Sequence, residues 1–457
     1  MKRRNLLTAG FIILLAILIG VMLFAVLGKS GSENTSSAPD ASAVSSAVSA
    51  ESDTVSDPAV SPESSDEVTE VTSEPEPDKV VKFLGCPDNI IHPSVYYTAI
   101  DRAAAKKGVA PKYTDLHDAE YDFDEMYKYV ADAIKEADIS YLNQETLPGG
   151  RSQPVNGYPM FNSPEAIIDT DMRLGFDVIN LAHNHMLDAG DDSFLIHAAE
   201  AFGEAGATVL GYYPNKDALD DIPVIECNGI KIAFLTYTYE TNGLRLRASA
   251  QTYIPYINRA DLERQVPLAK EKADFVIVSM HWGDEDSFDL NNQQREYAEL
   301  MCELGVDVVL GMHVHVIQPM EWKVNSEGHK TLVIYSLGNF VSGMVNGKNM
   351  LAGMFSLEIV KSAETGEVYM RDPLFIPIVT HYVKKPARAV KDTGYTDFMI
   401  YYLSDYTPEL AAAHGCHAYG PTLVGGAFTV ENLYKTVHKY IPDEFLPEGM
   451  KSTDTSA

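Results

Sequence analysis

The chain has 457 residues and a formal net charge of −30 at pH 7, with 46% hydrophobic and 22% charged residues. That length allows one large domain or two with appendages, and the apolar content is enough for a sizeable core. So acidic a chain excludes nucleic acid as its main partner, because phosphates would be repelled, and it suits solubility and a cationic cofactor.

The first element is the uncharged run "LLTAGFIILLAILIGVMLFAVLG", 6–28, behind the basic start "MKRRN". About 20 apolar residues span a bilayer, whereas the hydrophobic region of a signal peptide runs about 7–15. No small-x-small cleavage site follows, and no cysteine offers itself for lipidation. Residues 1–28 therefore read as a cytoplasmic stub and an uncleaved signal anchor. Lys2, Arg3 and Arg4 would hold the N-terminus in the cytoplasm and leave the rest outside the cell. Residues 29–79, rich in Ser, Glu, Asp and Pro and without aromatics, read as a disordered acidic linker: they cannot bury enough apolar surface to offset the entropy of ordering.

From Val80 the texture changes. The runs "VVKFLG", "ADISYLN", "FDVINLA", "KIAFLTY", "DFVIVSM", "VDVVLGM" and "TLVIYSLGNF" read as buried strands. Amphipathic stretches at 123–137, 164–175, 191–205, 260–272 and 291–304 read as helices. Such alternation predicts an α/β domain over 80–385 with largely covered sheets. Residues 386–457 are aromatic-rich and are expected to form a C-terminal extension packed on it. Cys86, Cys227, Cys302 and Cys416 form no CxxC pair, which argues against a zinc knuckle or a thioredoxin-like motif and leaves disulfide pairing open.

Polar residues follow one strand after another. Asp88 comes after the first run, Asn143-Gln144-Glu145 after the second, and His183-Asn184-His185 after the third. His281-Trp282-Gly283, His313-Val314-His315 and Leu337-Gly338-Asn339 follow the later ones. In open α/β sheets the carboxyl edge is where sites are built. Each motif alone fits an ordinary cap or loop, but six at matching strand ends favour a site. Carboxylates, imidazoles and an asparagine carbonyl are also the ligand set of a hydrolytic dimetal centre.

Together "DNIIH", "NQET", "NLAHNHMLDAG", "HWGDE", "GVDVVLGMHVHVIQPME" and "YSLGNF" resemble the CapA family of poly-gamma-glutamate capsule biosynthesis proteins, a branch of the calcineurin-like metallophosphatase superfamily. The resemblance covers roughly Val80 to Thr380. It implies a four-layer α/β/β/α metallophosphatase-like sandwich holding divalent metal ions, expected to be two, with Mn, Fe or Zn as candidates. It further implies metal ligation by Asp88, Glu145 (as the bridging carboxylate), Asn184, His281, His313 and His315, and makes His185 the general acid or a transition-state stabiliser. Asp188 would orient His185, as a carboxylate often orients a functional imidazole. Asn143, His183 and Asn339 are then candidates for substrate contact, with His183 otherwise a group behind the ligands or an extra ligand, and Ser336 and Gly338 shape the rim.

Both polymers considered, poly-gamma-glutamate and a phosphorylated envelope polymer, are anionic, so the metals would have to supply local positive charge. Arg245 and Arg247 in "NGLRLRAS" are candidates for gripping carboxylates or phosphates, against the reading of a solvated loop. Two functions remain open: an envelope-anchored, metal-dependent hydrolase or transferase acting on such a polymer, or a non-catalytic assembly or export component that binds it. A secreted metallophosphoesterase is the third. The expected partners are the cell membrane, the polymer and other membrane proteins of capsule synthesis.

Overall fold

The computed structural model describes residues 76–416 and 422–452. The segment at 6–28 and nearly all of 29–79 lie outside the described residues. Among the described residues no helix is long and apolar enough to cross a membrane.

The first half contains β1 (Lys79–Asn89), α1 (Pro93–Lys107), α2 (Asp124–Tyr127), α3 (Ala131–Glu136), β2 (Ile139–Asn143), α4 (Ala166–Leu174), β3 (Val178–Asn180), α5 (Ser193–Glu204) and β4 (Thr208–Leu210). Next come β5 (Val224–Cys227), β6 (Ile230–Thr238), α6 (Arg259–Lys272), β7 (Phe275–His281), α7 (Asn292–Leu304), β8 (Val308–Met312), β9 (Met320–Val324) and β10 (Lys330–Ile334). The chain closes with β11 (Asn339–Val341), β12 (Leu351–Lys361), β13 (Val368–Lys384), β14 (Tyr395–Tyr402), α8 (Pro408–Ala413) and α9 (Val430–Tyr440). All seven expected strand runs are found. The helix expected over 123–137 is two short pieces, α2 and α3, with no glycine or proline at the break.

Local signals explain several boundaries. Asn291 and Gln294 form a reciprocal capping box that starts α7, and Gly305 ends it at φ 76°, a left-handed position glycine takes without steric cost. Pro93 opens α1, where its missing N–H costs nothing, and Lys106 and Lys107 sit against the negative end of the helix dipole.

The strands form two sheets, ordered β14-β13-β12-β1-β2-β3-β4 with β11 also paired to β1, and β5-β6-β7-β8-β10-β9. The pairs β1–β2, β2–β3, β6–β7 and β7–β8 are parallel, so these strands end on the same edge of their sheets. The period-two alternation of the second sheet feeds two cores. Ile232, Phe234, Ile277, Leu310 and Ile334 turn toward the first sheet, where Phe83 of β1 meets Phe234 at a ring separation of 6.3 Å. Ala233, Leu235, Val278, Val309 and Val333 turn the other way onto Leu262, Val266 and Ala269 of α6 and Ala298 and Met301 of α7. Across the first sheet α1 and α2 lie against β14, and α5 against β4. Beyond 385 the chain still contributes to that sheet, because β14 pairs antiparallel with β13. All four cysteines are free thiols.

One helix carries an unmatched charge. Asp171 of α4 is fully buried, and neither carboxylate oxygen has a hydrogen-bond partner. Burial pushes its pKa well above the ordinary value, against a weaker opposing pull from Arg173. A raised folded-state pKa means stability is intact below the unfolded value and is lost as pH rises through the folded one. Asp171→Asn should therefore leave thermal stability near pH 4 almost unchanged and raise the melting temperature at pH 8 by roughly 2 °C. Calorimetry of both chains across that range checks it.

Candidate metal centre

Three parallel strands of the first sheet end in a row of polar residues. Asp88 is in register with Asn143, and Asn143 with Asn180. Asp88 is also in register with Asn339 at the start of β11. The ladder shifts register between Cys86 and Asp88, where Pro87 cannot donate a ladder bond. Side chains lock the row: Asn143 Nδ2 donates to Asp88 Oδ1 at 2.7 Å, Asn180 Nδ2 donates to Asn143 Oδ1 at 2.7 Å, and Thr236 Oγ1 of the other sheet donates to Asn180 Oδ1 at 2.7 Å.

The facing edge comes from β7 and β8. His281 is the last residue of β7, and His313 and His315 follow β8. Both of the latter have positive φ, 99° and 59°. Such backbone costs about 1–3 kcal/mol per residue and persists only where the surroundings impose it. Part of what imposes it is Asp88, whose Oδ2 accepts from the His313 backbone N–H at 3.1 Å. Asn339 Oδ1 lies 3.0 Å from His315 Nδ1.

Between the edges stands Glu145, 1% exposed, with both oxygens lacking a hydrogen-bond partner. His281 Nδ1, His313 Nδ1 and His183 Nε2 are likewise buried and unpartnered. One unpartnered polar group already costs about 1–3 kcal/mol, so a protein keeps four together only where something else satisfies them. Ligand atoms of Asp88, Glu145 and His315 lie within 4.8 Å of one another, and so do those of Glu145, His281 and His313. Glu145 belongs to both groups. Carboxylate oxygens and imidazole nitrogens converging on a dry site fit divalent metal ions.

The electrostatics agree. Burial, helped by neighbouring imidazoles, lowers the pKa of His281 and His313 well below the usual value, so both are neutral, the form a metal ligand needs. Burial also lowers His183. Burial would lower His315 too, but the Glu145 and Asp88 carboxylates overcome it and hold it up at about 10. Burial raises Glu145 well above the carboxylate range, His315 opposes that, and Asp88 adds to it.

Asn184 Oδ1 lies 2.9 Å from His281 Nε2, beside the second group. His185 Nδ1 lies 2.8 Å from Asp188 Oδ2, which also accepts from the Phe161 N–H at 2.7 Å. His183 is wholly buried, and its Nδ1 accepts from the His185 N–H at 3.2 Å. Asn143 and Asn339, considered for substrate contact, are also wholly buried. Their amides are taken up by Asp88, Asn180, His315 and the Asn349 carbonyl. Ser336 Oγ accepts from the Gly338 N–H at 3.2 Å and shapes that turn. Arg245 and Arg247 are exposed on the loop after β6; Arg245 donates to the Leu244 carbonyl and lies 5.9 Å from the Tyr256 ring centre.

Three residues were not singled out by the sequence. Asn242, on that same loop, places Nδ2 3.4 Å from His185 Nδ1 and accepts from Asn184 Nδ2 at 3.2 Å. Tyr239 lies against His313 with ring centres 4.4 Å apart. Glu285 sits within 4.8 Å of ligand atoms of His313 and His315. Glu285 and Asn242 stand inside quoted stretches, as the last letter of "HWGDE" and the first of "NGLRLRAS", but nothing there marks them as site residues.

The chain is 31% identical to the PGA biosynthesis protein CapA of Bacillus subtilis (strain 168) over 226 residues, 48% of this chain and 57% of that protein. It is 29% identical to the capsule biosynthesis protein CapA of Bacillus anthracis over 229 residues, 48% of this chain and 54% of the relative. It thus spans little more than half the length of these curated relatives. Among solved structures, a phosphatase from Mycoplasma pneumoniae is similar at 14% identity and a TM-score of 0.37, over 66% of this chain and 94% of that one. A 5'-nucleotidase precursor from Thermus thermophilus is similar at 14% identity and a TM-score of 0.36, over 65% and 55%. The pattern of the bacterial capsule synthesis protein PGA_cap family matches residues 86–344, more than half of the chain and every ligand candidate above, and the protein belongs to that family.

Proposed function

We propose that this protein is a metal-dependent hydrolase or transferase of an anionic envelope polymer, poly-gamma-glutamate or a chemically similar chain, built on a four-layer metallophosphatase-like sandwich. In this reading residues 6–28 anchor it in the cell membrane and 80–385 work outside the cell. The observation that carries the chemistry is Glu145, the one carboxylate common to two ligand groups. Asp88, Glu145 and His315 would hold one divalent ion; Glu145, His281 and His313, with Asn184 beside them, would hold the second.

When bound, such ions supply Lewis acidity and a bound water acidic enough to react near pH 7. The chain's own residues do the rest. The Asp88–Asn143–Asn180–Thr236 chain fixes the ligand row, so the site needs no rearrangement to act. Asp188 holds the His185 ring through Nδ1 and leaves Nε2 to pass a proton to a leaving group. The exposed loop with Arg245 and Arg247 offers charge to an anionic chain beside Asn242.

Metal analysis of the full chain tests the core of this reading. About two transition-metal ions per chain are expected, and a His313→Ala/Asp88→Ala double variant should lose them. A folded chain that takes up no metal after supplementation overturns it and leaves a polymer-binding assembly role.

A further inference from the structure

Glu285 stands outside the residues just assigned. It lies in the turn after β7, Trp282-Gly283-Asp284-Glu285-Asp286, and its side chain is exposed. An exposed glutamate is ordinarily a solvated surface group, and proximity alone would not raise it above that. The construction of the turn does.

The turn is fastened at both ends to the His313-Val314-His315 turn. Trp282 is fully buried, its Nε1 donates to the Tyr335 carbonyl at 3.0 Å, and its backbone N–H donates to the Met312 carbonyl at 3.3 Å. Gly283 has φ 97°, and a Cβ there would overlap the Val314 side chain, so only glycine lets the two turns approach this closely. Asp286 donates its backbone N–H to the Val314 carbonyl at 2.8 Å and is itself held at φ 64°. Asn349, fully buried, clamps both turns at once: its Nδ2 donates to Asp286 Oδ1 at 2.8 Å and to the His315 carbonyl at 3.1 Å. Lys348 Nζ closes the far side on the Asp286 carbonyl at 2.6 Å.

Asp284 is held as well, its Oδ1 accepting from Asn291 Nδ2 at 3.2 Å, so Glu285 stands between two pinned residues. His313, His315 and Asp286 are all non-glycine residues at positive φ. The backbone of the paired turns is fixed by the bonds between them. It holds a carboxylate within 4.8 Å of ligand nitrogens of both histidines. Glu145, with neither oxygen hydrogen-bonded, and His313, whose Nδ1 also lacks a hydrogen bond, offer ligand atoms within 4.8 Å of one another. Three carboxylates, Asp88, Glu145 and Glu285, then surround one pair of imidazoles, an arrangement whose mutual repulsion a divalent cation relieves.

We propose that Glu285 is an additional metal ligand, closing the His313/His315 side of the centre from the solvent face. The assignment rests on the metal-dependent reading above. Because Glu285 is the exposed member of the set, it is also the ligand an incoming anionic substrate can displace without breaking the buried framework.

Titration of the full apo-chain with Co²⁺, followed by calorimetry and by the visible ligand-field spectrum, tests this without reference to activity. Wild type should bind two ions. Glu285→Gln should keep the fold and weaken one binding step by at least about 10-fold, the loss that follows even from removing a residue that only supports a ligand, with a changed cobalt spectrum. Glu296→Gln, which removes an exposed charge on α7, should leave both steps and the spectrum as in wild type. Two ions bound by Glu285→Gln with wild-type affinity and spectrum would overturn this assignment alone. Equal weakening in both variants would also overturn it, since long-range charge would then be the cause. A wild-type chain that binds no Co²⁺ would remove the metal-dependent reading and this assignment together.

Discussion

Glu145→Gln is expected to lower the metal content from about two ions per chain to fewer than one, and to reduce turnover at least about 100-fold, the rate equivalent of several kcal/mol of lost Lewis-acid stabilisation. The expectation follows from position. Glu145 alone belongs to both the Asp88/His315 and the His281/His313 groups, so its loss weakens both. Glutamine has the same shape, and the neighbouring residues hold the segment independently: Gln144 donates its backbone N–H to the Asn180 carbonyl at 3.0 Å and accepts from Asn89 Nδ2 at 2.7 Å. The fold should survive. The apo-chain should melt close to wild type, because the amide removes a carboxylate buried without a hydrogen bond and, with it, the pairing of Glu145 Oε1 with His315 Nε2 at 3.7 Å. Elemental analysis and thermal unfolding of the two apo-chains separate the possibilities. A purely structural Glu145 predicts the reverse pattern, with stability lost and metal content unchanged.

The row of site residues was legible because parallel strands buried on both faces read as continuous apolar runs, and the polar residue closing each run marks the carboxyl edge. Asp88, Glu145, His281, His313 and His315 were found on that basis and through family resemblance, and the structure brings all five together. Asn143 and Asn339 were legible as polar strand-end residues, but not in the partners their amides take. Where an amide at a strand end directs its hydrogen bonds depends on register with the next strand, here Asp88 with Asn143 and with Asn339. Glu285, Asn242 and Tyr239 were hidden because tertiary contacts between turns bring them in, and no sequence period encodes those. The long hairpin of β12 and β13 was also hidden. β13 contains Pro373, Pro377 and charged residues, and its ladder with β12 shifts register between Ser356 and Glu358, opposite Asp372 at φ 51°. Proline and charge inside a run erase the strand signal, while pairing with β12 on one side and β14 on the other supplies the stability that propensity does not.

His185→Ala should retain both metal ions and the fold yet lower kcat by about 10²–10⁴, the usual worth of a positioned general acid. Its ring is fixed from three sides: Asp188 Oδ2 at 2.8 Å, the edge of Phe161 at a ring separation of 4.8 Å, and Asn242 Nδ2 at 3.4 Å. None of the candidate ligand groups includes it, so metal content and activity should separate in this variant. Asp188→Asn should act in the same direction but less strongly. An amide there can still hydrogen-bond to the ring but no longer favours the imidazolium, and it disturbs the Phe161 N–H bond. If proton donation is the lost function, a substrate with a good leaving group, such as a p-nitrophenyl ester of phosphate or a p-nitroanilide of glutamate, should be affected far less than a polymer bond with a poor one. A defect of equal size on both substrates would instead point to binding, because a misplaced site slows every leaving group alike. Wild-type rates in His185→Ala with metal fully bound would remove the acid from the mechanism. The carboxylate–imidazole pair would then be a rigid wall of a polymer-binding site, and the non-catalytic assembly role would account for the retained metal centre.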